Sequence, residues 1–310
     1  MIPTLKLDHI TKVYKNKKVV DDLSLSLYKG QVFGFIGPKN SGKTTILKMI
    51  CGLDRISSGH IFIDGYNIDK NFKKAISNVG AVIQPQQFYE HLSGRRNLKI
   101  LAKLYNKTAI KRIPNIIKLL QMEEYINDKV KNYSLSKIQR LGLAQALLNK
   151  PKLLVLDHPT LNLNIEEAKQ FISIIKTLVE KEQMTVVISS DNLQTLEHLY
   201  HQVAIIRSGK VLTFTDMKKI RADLKSKRYI GFYVNYPNYA GKLIQEKYDI
   251  EVKVAGNSIL VPISEKHIPQ ITTYLTYKHI KIFKTKKINK SLQELYLELI
   301  NDDSGNSTLF

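Results

Sequence analysis

The residues best placed to do chemistry form one unbroken stretch, Gly37-Pro38-Lys39-Asn40-Ser41-Gly42-Lys43-Thr44-Thr45. Its spacing is G-x-x-x-x-G-K-T. It follows the apolar run Gln31-Val32-Phe33-Gly34-Phe35-Ile36 and leads into Thr45-Ile46-Leu47-Lys48-Met49-Ile50, a run of helical composition. Strand, glycine loop and helix in that order make a phosphate cradle. The glycines let backbone N–H groups turn inward, and the helix N-terminus adds partial positive charge. Lys43 is placed to reach the β- and γ-phosphates, and Thr44 to hold Mg²⁺. The pattern predicts a bound nucleoside triphosphate.

Three further residues gain meaning beside that loop. Lys152-Leu153-Leu154-Val155-Leu156-Asp157 reads as a fully buried strand that ends in a carboxylate. A strand-end aspartate is weak on its own; paired with a phosphate loop, Asp157 is the expected organiser of Mg²⁺ and its waters. Gln84 stands at the carboxyl end of the apolar stretch 79–83, where it can meet Mg²⁺ or an attacking water. Tyr14 lies upstream of the loop, in Thr11-Lys12-Val13-Tyr14-Lys15. Its ring is either a stacking surface for a nucleotide base or an ordinary edge tyrosine.

The elements that must position these residues alternate. Residues 3–35 read as short strands at 5–7, 10–14, 19–20 and 23–27. Further strands are expected at 61–63, 79–83, 153–157, 184–190 and 203–207. A helical pattern covers 94–126, with Pro114 near the first turn of its second helix, and an amphipathic helix covers 166–181. Strands alternating with helices predict a mainly parallel sheet with helices packed on it. A charged stretch around 217–228 marks a domain boundary. Residues 1–220 then form the nucleotide-binding domain, with an inserted helical lobe at about 90–145, and 221–310 form a small α/β accessory domain. In that second domain strands are expected at 229–234, 252–254 and 258–262, and helices at 240–247, 267–277 and 292–300.

Composition sets outer limits. The chain has 310 residues, 43% of them hydrophobic, enough for a large domain and a small one. The single cysteine, Cys51, excludes an intramolecular disulfide framework and sits in an apolar helix, where a packed thiol is expected. Met1 to Asp8 becomes charged too soon for a signal peptide, and no apolar run is long enough to span a bilayer. The net charge of +21 suits an anionic partner, but the lysines are scattered, with no long basic run and no interleaved aromatics. No direct nucleic-acid partner is expected.

Taken together and in this order, the motifs resemble the ATP-binding subunit of an ABC transporter, over roughly residues 3–215. The closest branch is the bacitracin- and lantibiotic-type exporters. That branch's glycine loop usually has Asn-Gly-Ala where this chain has Lys39-Asn40-Ser41. Tyr133-Ser134-Leu135-Ser136-Lys137-Ile138-Gln139-Arg140 looks like the family signature, and Ser291-Leu292-Gln293-Glu294-Leu295-Tyr296 like that branch's final helix. The resemblance implies ATP and Mg²⁺ as cofactors, Tyr14 as the adenine-stacking aromatic, Gln84 as the Mg²⁺ and water sensor, and Ser134 as a contact to ATP held by a second cassette.

The departures fall in the hydrolytic circuit. The signature glycine is Ser136. The glutamate that normally follows the strand-end aspartate is His158, in Asp157-His158-Pro159-Thr160. An aspartate that couples the two sites is Asn164. The switch histidine is Asp191, whose carboxylate opposes the charge of a γ-phosphate. Loss of a positioned base costs about 10² to 10⁴ in rate, so ATP binding with slow or partner-dependent hydrolysis is expected.

The resemblance further implies integral-membrane subunits and a second cassette as partners, a heterodimer being favoured. It also implies a place on the cytoplasmic face of the membrane and export of a peptide antibiotic or toxic peptide. The alternatives are a soluble nucleotide-sensing regulator and a ribosome- or nucleic-acid-associated ABC ATPase.

Overall fold

The structure, a computed structural model, describes residues 2–83, 86–105, 107–191, 197–219 and 228–289. The chain divides into two compact units, Met1–Met217 and Lys218–Phe310.

The first unit is built on a six-stranded sheet. It contains β3 (Val32–Ile36), β6 (Val79–Val82), β7 (Leu153–Asp157), β8 (Thr185–Ser190), β9 (Gln202–Arg207) and β10 (Lys210–Asp216), in the order β10-β9-β3-β8-β7-β6. Every pairing is parallel except the edge pair β9–β10. Strands β3, β7 and β8 are buried at every position, as apolar runs must be when both faces of a parallel sheet are covered. Register does the positioning. Ile36 pairs with Ser190 and Asp157 with Ser189, so the carboxyl ends of β3, β7 and β8 finish side by side. Ligands of open α/β sheets bind at that edge.

Helix α1 (Lys43–Ile50) follows β3 and buries Ile46, Leu47, Met49 and Ile50. Those side chains join one core with Phe33, Phe35, Leu153 and Val187 of the parallel sheet. The same core takes Leu5, Leu7, Ile10 and Leu23 from a second, antiparallel sheet. That sheet runs β2 (Lys17–Leu27), β1 (Leu5–Tyr14), β4 (Ser58–Ile63), β5 (Tyr66–Asn67). The four short N-terminal strands expected from the sequence are thus two long ones. Polar interruptions such as Asp8-His9 are bulges within a strand, not its end. The pairing register shifts after Leu7 and after Ile10, and His9 takes a positive φ of 50°.

Helices α2 (Phe72–Ile76), α3 (Gly94–Ala102), α4 (Lys107–Leu119), α5 (Leu135–Ala146) and α6 (Ile165–Glu182) complete the unit. Pro114 is not near the start of α4 but in its interior. It lies on the exposed face, while Ala109, Ile113, Ile116 and Ile117 bury the opposite stripe. That stripe holds the helix together across a residue that cannot donate to the carbonyl one turn back.

The second unit has the order β11 (Arg228–Val234), α7 (Pro237–Tyr248), β12 (Lys253–Ala255), β13 (Ser258–Val261), α8 (Ile268–Tyr277), β14 (Ile282–Asn289). Its sheet is antiparallel and runs β12-β13-β11-β14, the split β-α-β-β-α-β arrangement. Phe232, Ile230, Ile244, Ile259 and Leu275 form its own core. β14 continues a sheet whose earlier strands the sequence had shown. The expected helix at 292–300 lies outside the described residues.

Candidate functional site

The loop between β3 and α1 is shaped by two glycines that nothing larger can replace. A Cβ on Gly37 would stand 2.2 Å from the Ile206 carbonyl oxygen, and one on Gly42 2.5 Å from that of Val19. Gly42 also has φ 107°, in the left-handed region, and is the N-cap of α1. No side chain caps that helix, and its first turn holds no acid. Its leading N–H groups therefore remain available to an anion.

Lys43 folds back over the loop and is 3% exposed. Its ammonium donates to the carbonyls of Gly37 and Pro38, both at 2.8 Å, and to Ser41 Oγ at 3.3 Å. Asp191 Oδ1 lies 2.9 Å from Nζ. That contact is an ion pair outside hydrogen-bond geometry, and Oδ1 has no hydrogen-bond partner.

Asp157 is buried at the end of β7. It accepts from Thr44 Oγ1, at 3.1 and 3.0 Å to its two oxygens, and from Ser189 Oγ at 2.5 Å. Ser189 Oγ in turn accepts from the His158 N–H at 3.0 Å. His158, with φ 46°, carries its ring between the two carboxylates. Nε2 is 3.9 Å from Asp157 Oδ1 and 3.8 Å from Asp191 Oδ1.

Lys43, Thr44, His158 and Asp191 border a cleft of about 640 Å³, lined also by Lys39, Thr45, Lys17, Lys18 and Gly209. The volume lies within the roughly 300–1,000 Å³ of small-molecule sites. Uncapped helix donors, a buried ammonium and flanking lysines fit a polyphosphate. A threonine hydroxyl against a carboxylate fits an oxygen-preferring divalent cation.

The structure thus brings together the loop residues 37–45, Asp157, His158 and Asp191. Other expected site residues lie elsewhere. Tyr14, at the β1–β2 turn, is half-exposed and is not on the cleft wall. Its O–H donates to Asp54, and Lys12 Nζ sits 4.6 Å from its ring centre. It pairs across the hairpin with Lys17, which does line the cleft.

Ser134 is the N-cap of α5 and lines a separate cleft of about 660 Å³ with Ser136, Arg140 and Glu167. Its hydroxyl lies 3.0 Å from Ser136 Oγ. Asn164 caps α6 in a reciprocal box. Its side chain accepts from Glu167 N at 2.9 Å, and Glu167 accepts from Asn164 N at 3.1 Å. Gln84 lies outside the described residues. Sequence reasoning assigned Ser189 no role. Its only signal is a hydroxyl one position before the end of a buried strand, paired with Asp157.

An α/β unit with a phosphate loop, a strand-end aspartate and an inserted group of helices defines an ATP-binding cassette. The family profile described as ABC transporter matches residues 20–161. The uncharacterised ABC transporter ATP-binding protein YhcH of Bacillus subtilis is 33% identical over 302 residues, 97% of each chain. The bacitracin transport ATP-binding protein BcrA of Bacillus licheniformis is 31% identical over 307 residues, 97% of this chain and 98% of that one. Among solved structures, the dimeric post-hydrolysis state of the ATP-binding cassette MJ0796 bound to ADP and Pi superposes with a TM-score of 0.63. It is 24% identical and covers 69% of this chain and 98% of that one, a likeness of fold.

The chain belongs to the ABC transporter ATP-binding proteins. Such subunits bind ATP and work with membrane subunits. No described helix is long and apolar enough to cross a membrane. With transporter subunits as the relatives, the regulator and ribosome-associated readings are not favoured.

Proposed function

We propose that this subunit binds Mg-ATP in the cleft above α1 and drives membrane subunits that export a peptide antibiotic. Its own turnover is slow or dependent on the partner cassette. One observation carries the reading. The groups that hold nucleotide form a connected set, Lys43 with the loop and Thr44 with Asp157 and Ser189, whereas the group after Asp157 is an imidazole instead of a carboxylate. Thr44 and Asp157 hold Mg²⁺, together with Gln84. The substrate class rests on the bacitracin transport relative.

In a dimer of cassettes each site is completed by the other chain's signature. Here that signature offers Ser134 already in contact with Ser136 Oγ. Tyr14, half-exposed and paired with the cleft-lining Lys17, offers its ring to the adenine. A homodimer carries His158 and Asp191 in both sites, so a heterodimer with a base-bearing cassette is favoured. ATP binding then closes the pair as a rigid-body change passed to the membrane subunits.

The test is steady-state phosphate release by the purified chain, beside a double variant, His158→Glu with Asp191→His. The natural chain is expected to release phosphate slowly, and the double variant at least about 10²-fold faster, as for a restored base. Rapid release by the natural chain, unchanged in the variant, refutes the assignment.

A further inference from the structure

The two carboxylates of the site, Asp157 and Asp191, meet their surroundings in different ways. Asp157 accepts from two side-chain hydroxyls, Thr44 and Ser189, and is fixed. Asp191 is held by charge. Its Oδ1 has no hydrogen-bond partner, yet lies 2.9 Å from Lys43 Nζ and 3.8 Å from His158 Nε2. Among the described residues, it is the only carboxylate in ion-pair reach of Lys43. The ammonium's hydrogen bonds go to uncharged oxygens, so among the described residues Asp191 is its ion-pair partner. An anionic oxygen with no hydrogen bond, set against the lysine of a phosphate cradle, stands where a ligand's oxygen belongs.

We propose that Asp191 is an internal counter-ion that competes with the terminal phosphate for Lys43. It thereby shifts the site from nucleoside triphosphate toward diphosphate. The inference rests on the ATP-binding reading above. The leading N–H groups of α1 and the loop take a phosphate whether or not Asp191 is charged. The lysine, in contrast, serves the β- and γ-phosphates together. A third phosphate brings more negative charge beside a carboxylate that already neutralises the ammonium. A diphosphate leaves that pair less disturbed. A ligand shifts an equilibrium only by its difference in affinity for the two arrangements. The contact therefore penalises the triphosphate selectively.

The experiment is calorimetric titration of the full chain, in Mg²⁺, with ADP and with the non-hydrolysable triphosphate AMP-PNP. The natural chain is expected to bind ADP at least as tightly as AMP-PNP. Asp191→Asn keeps the shape and removes the charge. It is expected to tighten AMP-PNP by about tenfold or more, within the range of coupled sites, and ADP by less than about threefold. Asp191→Ser, smaller and also uncharged, repeats the measurement should the amide pack badly. Equal gains for both nucleotides, or none for either, overturn the inference and leave the ATP-binding reading in place. Failure of the natural chain and both variants to bind either nucleotide overturns both.

Discussion

Lys43 shows how much one side chain concentrates. It is buried, it closes the loop on itself through two carbonyls, and it faces the only carboxylate in reach among the described residues. Lys43→Ala removes a charge-assisted contact worth about 1.5–3 kcal/mol. Nucleotide affinity is expected to fall by roughly 10- to 100-fold. Calorimetry checks this, and unchanged binding would place the phosphates elsewhere.

Cys51, at the C-terminal end of α1, illustrates the opposite case, a reactive group made inert. Burial, helped by the charge of Asp157, pushes its thiol up to about 12. The folded chain therefore holds the proton more tightly than the unfolded one. The stabilising effect is fully present below the ordinary thiol range, near pH 9, and is lost as pH rises toward 12. At pH 8 the native chain is expected to resist iodoacetamide, with labelling appearing only in denaturant. Rapid native labelling at pH 8, followed by mass spectrometry, would show an open, ionised thiol.

At the scale of elements, the loop ahead of α6 separates a structural role from a catalytic one. Asn164 stands where the resemblance places an aspartate, yet its side chain completes a capping box with Glu167. An amide oxygen accepts from a helix N–H as well as a carboxylate does, so the substitution keeps the helix start intact. Asn164→Ala is expected to cost about 0.5–2 kcal/mol. The melting temperature should fall by about 2–4 °C per kcal/mol for a unit of this size. Asn164→Asp should melt like the natural chain. A scan in which Asn164→Ala leaves the midpoint unmoved would show that the cap contributes nothing. The same scale accounts for Pro114, tolerated mid-helix because the buried isoleucine stripe of α4 outweighs one missing backbone bond.

For the whole molecule, the two units keep separate cores. All the described residues of the phosphate cleft belong to the first. We predict that a chain ending at Met217 folds and binds Mg-ATP within about threefold of the full-length affinity, well under the tenfold that about 1.4 kcal/mol represents. A fragment with a cooperative melt but no nucleotide binding, measured by the same titration, would mean that the second unit contributes to the site. The split β-α-β-β-α-β unit itself carries no glycine loop. A role in regulating the cassette or in holding the dimer is our reading of it.

Much of this was legible in the sequence because it is local. Residues 37–45 need only their own order to make a phosphate loop, and the apolar runs of β3, β7 and β8 announce buried parallel strands. Asp157, weak evidence on its own, could be picked out because the same chain carries a phosphate loop. What local order does not contain is register and distance. That Asp157 ends opposite Ser189, within reach of Thr44 Oγ1 at 3.0 Å, follows from the β7–β8 pairing of residues far apart in the chain. The bulged continuity of β1 is likewise set by its partners β2 and β4, since a bulge and a strand end look alike in one sequence. The sequence marked Asp191 as the wrong residue for a switch position. Only the tertiary structure decided what it does there: the ends of β3 and β8 lie side by side, and its carboxylate reaches the buried ammonium of Lys43.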